Sequence, residues 1–115
     1  MNILKDLTSL FEGLSIPVET GVFSGKAPKE YIVLVPLHDS FPLNADNYPQ
    51  LDVQEVRISI FTKNNYIKLK NKITTRLLSS DFYITSRVYN GYETDEGYHQ
   101  YTIDVAKQYD IEEEN

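Results

Sequence analysis

The sequence predicts an α+β fold in which two α-helices pack on one mixed or antiparallel β-sheet, in the order α-β-β-β-α-β-β. Apolar residues recur at helical spacing in two segments, 2–14 and 66–79. Three other segments, 51–62, 82–92 and 98–109, alternate at or near the two-residue period of a strand. Because the strands come in runs and do not alternate regularly with helices, the pattern favours an α+β sheet with segregated helices.

Composition limits the size and the class of the protein. The 115 residues are 41% hydrophobic, which predicts one domain over 1–109 with an acidic tail over 110–115. The net charge of −6 is not typical of a duplex DNA-binding protein, which carries a basic surplus. The absence of cysteine excludes disulfides and thiol chemistry. No signal peptide or membrane span is expected, since the apolar runs are short.

The first half of the chain predicts a helix, two strands and a long loop. Asn2 can cap the helix over 2–14, and strands follow over 18–20 and 31–37. The segment 36–50, PLHDSFPLNADNYPQ, contains three prolines and predicts a long connection. Its apolar side chains would not be needed in a purely solvated loop, so we expect them to contact a partner. They are Leu37, Phe41, Leu43 and Tyr48.

The second helix is predicted over 66–79, capped by Asn64 or Asn65. Its buried stripe is predicted to be Tyr66, Leu69, Ile73 and Leu77, and Lys68, Lys72 and Arg76 define a basic face at spacings of four. Such a face is usually solvated. Two other interpretations stay open: a contact with an acidic patch on a neighbouring copy, and a contact with a DNA backbone.

The last two strands, over 82–92 and 98–109, are predicted to form an antiparallel hairpin. Phe82, Ile84 and Val88 are expected to share one face of the sheet. Tyr89 and Tyr101 are expected to face each other across the two strands, if the turn is centred on Asp95.

The hairpin connection YNGYETDEGYHQY contains a carboxylate and histidine group, Asp95, Glu96 and His99. The Glu-x-x-His spacing is that of a helical ligand pair. The context is a glycine-flanked turn, however, and a structural zinc site needs four ligands. The sequence therefore favours exposed carboxylates over a metal site, and a metal-dependent hydrolase is the weakest of the functional hypotheses.

The tyrosines of this connection have three interpretations. They can stabilise the hairpin, stack on the bases of a single strand, or meet another subunit. Base stacking normally comes with basic residues, and residues 89–101 contain none. We therefore expect Tyr92 and Tyr98 to be contact residues, whose substitution weakens assembly more than folding.

Catalytic signatures are scarce in the sequence. His38-Asp39 is an isolated pair, and no G-x-S-x-G motif accompanies it. We expect no enzyme activity, no metal and no cofactor.

The whole pattern resembles a family of phage proteins. The resemblance runs from about Ile3 to Tyr109. Its first half consists of a helix of the ILKDLTSLFEGL type and the segment IPVETGVFSGKAPKEYIVLVP, which has a P-x-x-Y approach to the second strand. Its second half consists of the strand QEVRISIFTK, which continues directly into the helix NNYIKLKNKITTRLLSS, and of the closing hairpin. In these features the chain resembles the tail completion proteins of long-tailed bacteriophages, also called tail terminator or head–tail joining proteins.

The resemblance implies a structural function without catalytic residues. Such proteins form hexameric rings that cap the finished tail tube and dock to the head connector. The partners implied are other copies of the chain, the tail tube protein and the head connector or stopper protein. DNA would pass through the ring without specific binding. The implied location is the virion neck, and the host cytoplasm during assembly. The alternatives are a stopper or adaptor protein of the same neck, and a small cytoplasmic protein-binding module.

Overall fold

The computed structural model describes residues 2–42 and 51–111. They form two helices and one mixed five-stranded sheet, so the predicted α+β class is confirmed. In chain order the elements are α1 (Ile3–Leu10), β1 (Val18–Thr20), β2 (Glu30–Ser40), β3 (Leu51–Thr62), α2 (Tyr66–Leu78), β4 (Tyr83–Glu93) and β5 (Tyr98–Asp110).

The strands lie side by side in the order β1-β2-β3-β5-β4. Only the β1–β2 pair is parallel; the other neighbours are antiparallel. The long strands β3 and β5 lie in the centre and pair along their whole length, from Leu51 opposite Asp110 to Thr62 opposite His99. The long β4 is therefore one edge of the sheet, and the three-residue β1 is the other.

Both helices pack on the same face of the sheet, which we call the helix side; we call the other face the open face. The helix side carries the apolar core, because alternate residues of a strand point to the same face. The helices contribute Ile3, Leu7, Phe11, Leu69, Ile73 and Leu77, and the sheet contributes Ile32, Leu34, Val56, Ile58, Ile60, Tyr101, Ile103 and Val105.

The helix α1 begins where the sequence predicts and ends earlier. The side chain of Asn2 accepts a hydrogen bond of 2.8 Å from the backbone N–H of Lys5, which confirms the expected cap. Regular α-helix ends at Leu10, in contrast to the predicted 2–14, and the chain then turns through Gly13 at a φ of +88°. Glycine suits that position because it adopts a positive φ without a steric penalty.

The helix α2 is close to its prediction of 66–79. Asn65 is the cap, since its side chain accepts from the backbone N–H groups of Ile67 and Lys68. Leu69, Ile73 and Leu77 are buried as expected. Tyr66 is only half-buried, because it lies at the open start of the helix.

The strand β2 is longer than predicted. It continues from the expected Leu37 to Ser40, and its second half pairs with Val53 to Val56 of β3. The predicted loop over 36–50 is thus wrong for residues 36–40. Pro36 fits into the strand because a bulge lies between Pro36 and His38, and this part of β2 is an edge with no β1 beside it.

The expected alternation of β4 is wrong in its second half. A register shift lies between Ile84 and Ser86, and a second between Tyr89 and Gly91. The first shift places Val88 opposite Thr102 on the open face, whereas Ile84 lies opposite Val105 on the helix side. Each extra residue of a bulge reverses the faces of the residues that follow it.

The predicted boundary between the domain over 1–109 and the acidic tail over 110–115 lies close to the end of β5. Asp110, expected to begin the acidic tail, is the last residue of β5 and pairs with Leu51. Residues 112–115 of that tail lie outside the described residues. Within the described ranges, neither helix is long and apolar enough to cross a membrane.

Candidate functional site

Two aromatic groups lie on opposite faces at one end of the sheet, the end of the β4–β5 hairpin. The open-face cluster consists of Phe23, Tyr31, Phe61 and Tyr98. The rings of Tyr31 and Phe61 stack with centroids 4.6 Å apart, and Tyr98 meets Tyr31 edge-on at 5.4 Å. Such arrangements contribute about 0.5–1.5 kcal/mol beyond burial alone. Burial raises the pKa of Tyr31, and the nearby Tyr98 and Glu96 add to that rise.

Tyr98 belongs to the fold and not to a free surface. Its side chain is only 6% exposed, and its hydroxyl donates a hydrogen bond to the backbone carbonyl of Pro28. The ammonium of Lys63 lies 4.9 Å from the centre of its ring. Of the two tyrosines predicted as contact residues, Tyr98 is thus buried within the chain, because its strand position directs it into the open-face cluster.

The second group, which we call the helix-side cluster, consists of Tyr66, Tyr89, Tyr92, His99 and Tyr101. Tyr66, at the start of α2, packs on Tyr89 with ring centroids 4.6 Å apart. Tyr89 and Tyr101 are directly opposite in the β4–β5 pair, as expected from the sequence. The Tyr89 hydroxyl and Nδ1 of His99 are 3.0 Å apart, and this hydrogen bond links a side chain of β4 to a side chain of β5.

Tyr92 lies at the outer end of the helix-side cluster. Its ring packs on His99 at 4.8 Å, yet 53% of the side chain is exposed. The turn next to it is well ordered: the carboxylate of Glu93 accepts from the backbone N–H groups of Asp95 and Glu96, each at 2.7 Å. The hairpin tip therefore presents Tyr92 and the exposed Asp95 and Glu96 side chains to the surroundings.

The structure does not assemble the metal group considered from the sequence. Among the described residues, no three histidine or acidic side chains are placed to hold a metal ion. His99 faces Tyr89 and Tyr92, while the Glu93 carboxylate holds the turn. His38 likewise pairs with Glu55, its neighbour on β3, and not with Asp39.

The other predicted contact region is the far end of the β2–β3 pair. Leu37 on β2 is 38% exposed and Phe41, just after the strand, is 62% exposed. Leu43 and Tyr48 lie outside the described residues. The exposed positions that the structure describes thus fit the expectation of a free apolar surface at this end.

The basic face of α2 divides into two parts. Lys68 and Lys72 are exposed. Arg76 instead reaches α1, where its guanidinium donates to the backbone carbonyls of Leu10 and Glu12 at 2.9 and 3.0 Å. Because the last carbonyls of a helix lack partners within the helix, this arginine serves as the cap of α1 and joins the two helices.

A groove between α2 and β4 was not predicted from the sequence. Lys70 and Thr74 of α2 line one side of it, and Ser86 and Arg87 of β4 line the other. The sequence does not single out Lys70, because it lies outside the spacing of four that links Lys68, Lys72 and Arg76. Arg87 was assigned to a face by simple alternation, which the first bulge in β4 invalidates.

A polar contact joins α1 to β5 on the opposite side of the molecule. The carboxylate of Asp6 accepts from the Tyr109 hydroxyl at 2.6 Å and from the Lys107 ammonium at 3.2 Å. The Tyr109 hydrogen bond, helped by Lys107, lowers the pKa of Asp6, although burial opposes this. Burial and the same bond raise the pKa of Tyr109.

No protein-family model matches the sequence, and no curated protein matches it significantly.

Proposed function

We propose that this protein is a non-catalytic structural component of a phage or prophage neck. It assembles into a ring that completes the tail and docks it to the head connector. The α+β architecture with two helices on one mixed sheet is the kind of fold that the sequence resemblance implies. The tail-completion position, the hexameric ring and the neck partners are parts of this proposal.

The observation that carries the proposal is the concentration of exposed apolar side chains on the long edges and ends of the sheet. Among the described residues, six of the nine exposed large apolar side chains lie there: Leu37 and Phe41 beside the β2–β3 end, and Tyr83, Val88, Tyr89 and Tyr92 on β4. The other three are Val22, and Ile67 and Leu78 on α2. Scattered exposed apolar residues are normal, but several on one edge strand favour an interaction surface along that edge. A ring subunit needs two such surfaces, one toward each neighbour.

The shape of the molecule supports the same function. A strand residue advances roughly 3.3 Å and a helix residue about 1.5 Å, so the 13-residue β5 is about twice as long as the 13-residue α2. The sheet therefore extends beyond the helices that cover it, and the molecule measures 53 × 27 × 24 Å. Contacts at the protruding ends can form without disturbing the core.

The open face is compatible with the passage of DNA. In its middle, Arg57 and Asp104 form a two-bond ion pair of 2.8 and 3.0 Å, which neutralises both charges. Ser59 and Thr102 provide neutral hydroxyl groups beside this pair. Lys63 lies on the same face near the hairpin end, over the Tyr98 ring. A face whose central arginine is neutralised in this way retains phosphates weakly, and the net charge of −6 also opposes their binding.

The decisive experiment is deletion of the gene from its phage or prophage, followed by electron microscopy of the particles. We expect separate heads and tails, with tails that lack a defined end. Normal tails joined to heads would contradict the proposal. Recovery of one bacterial partner, with normal virions, would favour the small protein-binding module instead.

Complementation with point variants locates the contact surface. Phe41→Asp should abolish plaque formation, because it places a charge on the exposed apolar end of the β2–β3 pair. Ile67→Asp is the matched control, since Ile67 is also exposed but lies on α2. Equal loss in both variants would contradict a contact surface at the sheet end.

A further inference from the structure

The groove between α2 and β4 has the chemistry of an anion site. It has a volume of about 580 Å³, and its lining consists of two apolar side chains and six polar ones: Lys70, Thr74, Thr85, Ser86, Arg87 and Tyr101. None of these residues is acidic. The groove thus contains two cations and four hydroxyl-bearing side chains, Thr74, Thr85, Ser86 and Tyr101, and its lining includes no carboxylate to balance the cations.

Thr85 is the one lining residue whose hydroxyl is bonded within the described fold, to the Asp104 carbonyl at 3.3 Å, and three other polar groups of the groove lack an ion pair or hydrogen bond there. The Lys70 ammonium lies 5.0 Å from the centre of the Tyr101 ring, which holds it at the groove. Arg87 is exposed, and no carboxylate of the described residues forms an ion pair with it. The Thr74 hydroxyl is buried and has no hydrogen-bond partner within the described part of the chain. Lys70 and Arg87 would gain a partner if a carboxylate or another anion entered the groove.

The tip of the β4–β5 hairpin is acidic and therefore complementary in charge to the groove. At the β4–β5 tip, the Glu93 carboxylate accepts both turn N–H groups, and the Gly97 N–H bonds the Glu93 carbonyl at 2.9 Å. The tip is therefore preordered, with Asp95 and Glu96 exposed and without an ion pair among the described residues. A rigid loop loses little conformational freedom when it binds.

The tip does not reach the groove of its own molecule. Ser86 and Asp95 are separated by nine positions along an extended strand and turn. The part of this path within β4, from Ser86 to Glu93, spans roughly 20 Å at about 3.3 Å per residue with one bulge, and the strand is fixed by its pairing with β5. The acidic tip and the basic groove therefore meet only between two molecules.

We propose that the acidic β4–β5 tip of one copy docks into the α2–β4 groove of the next copy. Asp95 and Glu96 contact Lys70 and Arg87, and the hydroxyl groups of the groove complete the coordination of the carboxylates. The two surfaces differ, so the contact is head-to-tail, the type of interface that closes into a ring. The inference rests on the proposed ring and specifies one of its subunit contacts.

A self-contact explains the groove better than nucleic acid does. Each copy provides the acidic partner in equal amount to the basic groove, whereas the net charge of −6 repels a phosphate backbone. Charge complementarity of this kind also fixes the register of a contact and excludes wrong partners.

Disulfide trapping tests the contact directly, because the chain has no cysteine of its own. Ser86→Cys places a thiol in the groove, and Thr94→Cys places one at the tip. Mixed at the highest soluble concentration under mild oxidation, the two full-length variants should form the mixed dimer, which requires Cα atoms within about 7 Å. Lys72→Cys, exposed on α2 outside the groove lining, is the matched control for Ser86→Cys.

Charge exchange then tests the chemistry. Arg87→Glu in the groove variant, or Asp95→Lys in the tip variant, should lower the yield of mixed dimer about tenfold. Combining both should restore most of it. A mixed dimer no more abundant than with the Lys72→Cys control, or a yield insensitive to both reversals, would overturn the proposal.

Two further outcomes separate this inference from its alternatives. Binding of duplex DNA that is lost in Arg87→Glu, without charge-dependent trapping, would overturn it in favour of a phosphate site. Trapping that succeeds while gene deletion leaves normal virions would refute the neck function but retain the self-contact. If trapping fails but gene deletion gives defective tails, the self-contact is refuted and the neck function is retained.

Discussion

The open-face and helix-side clusters are both built around tyrosines, but the tyrosines Tyr98 and Tyr92 are used differently in them. In the open-face cluster, Tyr98 is buried and its hydroxyl bonds a backbone carbonyl. In the helix-side cluster, Tyr89 and Tyr92 remain 41% and 53% exposed. Tyr98 belongs to the open-face cluster and His99 to the helix-side cluster, although the two residues are adjacent in the sequence. The two-residue period of the strand, and not residue type, decides which tyrosine supports the fold and which is left for a partner.

Alanine substitution gives the largest expected difference between the clusters. Tyr98→Ala should lower the free energy of unfolding by about 3 kcal/mol, since it removes a buried ring from an aromatic cluster. Tyr92→Ala should cost less than about 1 kcal/mol, because its side chain is half exposed. Urea unfolding of both variants measures the difference. Equal losses would show that the two clusters are not distinct.

The same contrast exists on α2, between a basic residue used by the fold and one that is free. Arg76→Ala should cost about 1.5 kcal/mol, because two carbonyls at the end of α1 lose a charged donor. Lys72→Ala, exposed on the same helix, should change stability by less than about 0.5 kcal/mol. Chemical denaturation of both variants measures the two losses in the free energy of unfolding. A larger loss for Lys72→Ala than for Arg76→Ala would contradict this division.

Tyr109 extends the comparison to a tyrosine that supports the fold through a charge. Asp6→Asn should cost about 1 kcal/mol at pH 7, since it weakens the bonds from Tyr109 and Lys107. The pKa of Asp6 is lowered from 3.8, mainly by Tyr109. Its contribution is therefore present above about pH 4 and is lost as pH falls through the lowered pKa.

Unfolding at pH 7 and at about pH 2 checks this dependence. The difference between the parent and Asp6→Asn should shrink at the lower pH. Asp81→Asn, which alters an exposed carboxylate, should have little effect at either pH. A difference that stays constant would mean that the Asp6 charge does not contribute to stability.

The smallest expected difference concerns single hydroxyl groups. Tyr98→Phe should cost about 1 kcal/mol, because it leaves the Pro28 carbonyl without this donor. Tyr89→Phe should cost less than about 0.5 kcal/mol, since water replaces its exposed bond to His99. Thermal unfolding measured side by side resolves the two. A larger loss for Tyr89→Phe would reverse the proposed division of roles.

The sequence by itself determined the local structure to a large extent. The short strand 18–20 and the strand 51–62 lie where expected, and Asn2 and Asn65 cap the two helices. Apolar period and capping chemistry are local properties, so a single chain reveals them. The extent of β2 was missed, because Pro36 resembles a strand terminator unless a bulge and an unpaired edge accommodate it.

Only the tertiary structure decided which candidate residues are available to a partner. Tyr92 and Tyr98 look alike in sequence, as do Lys72 and Arg76, but one member of each pair is used inside the molecule. The bulges of β4 determine which of its side chains face α2 and thereby bring Arg87 to Lys70. Burial, register and contacts between distant segments depend on the packing of the whole chain, and no local pattern encodes them.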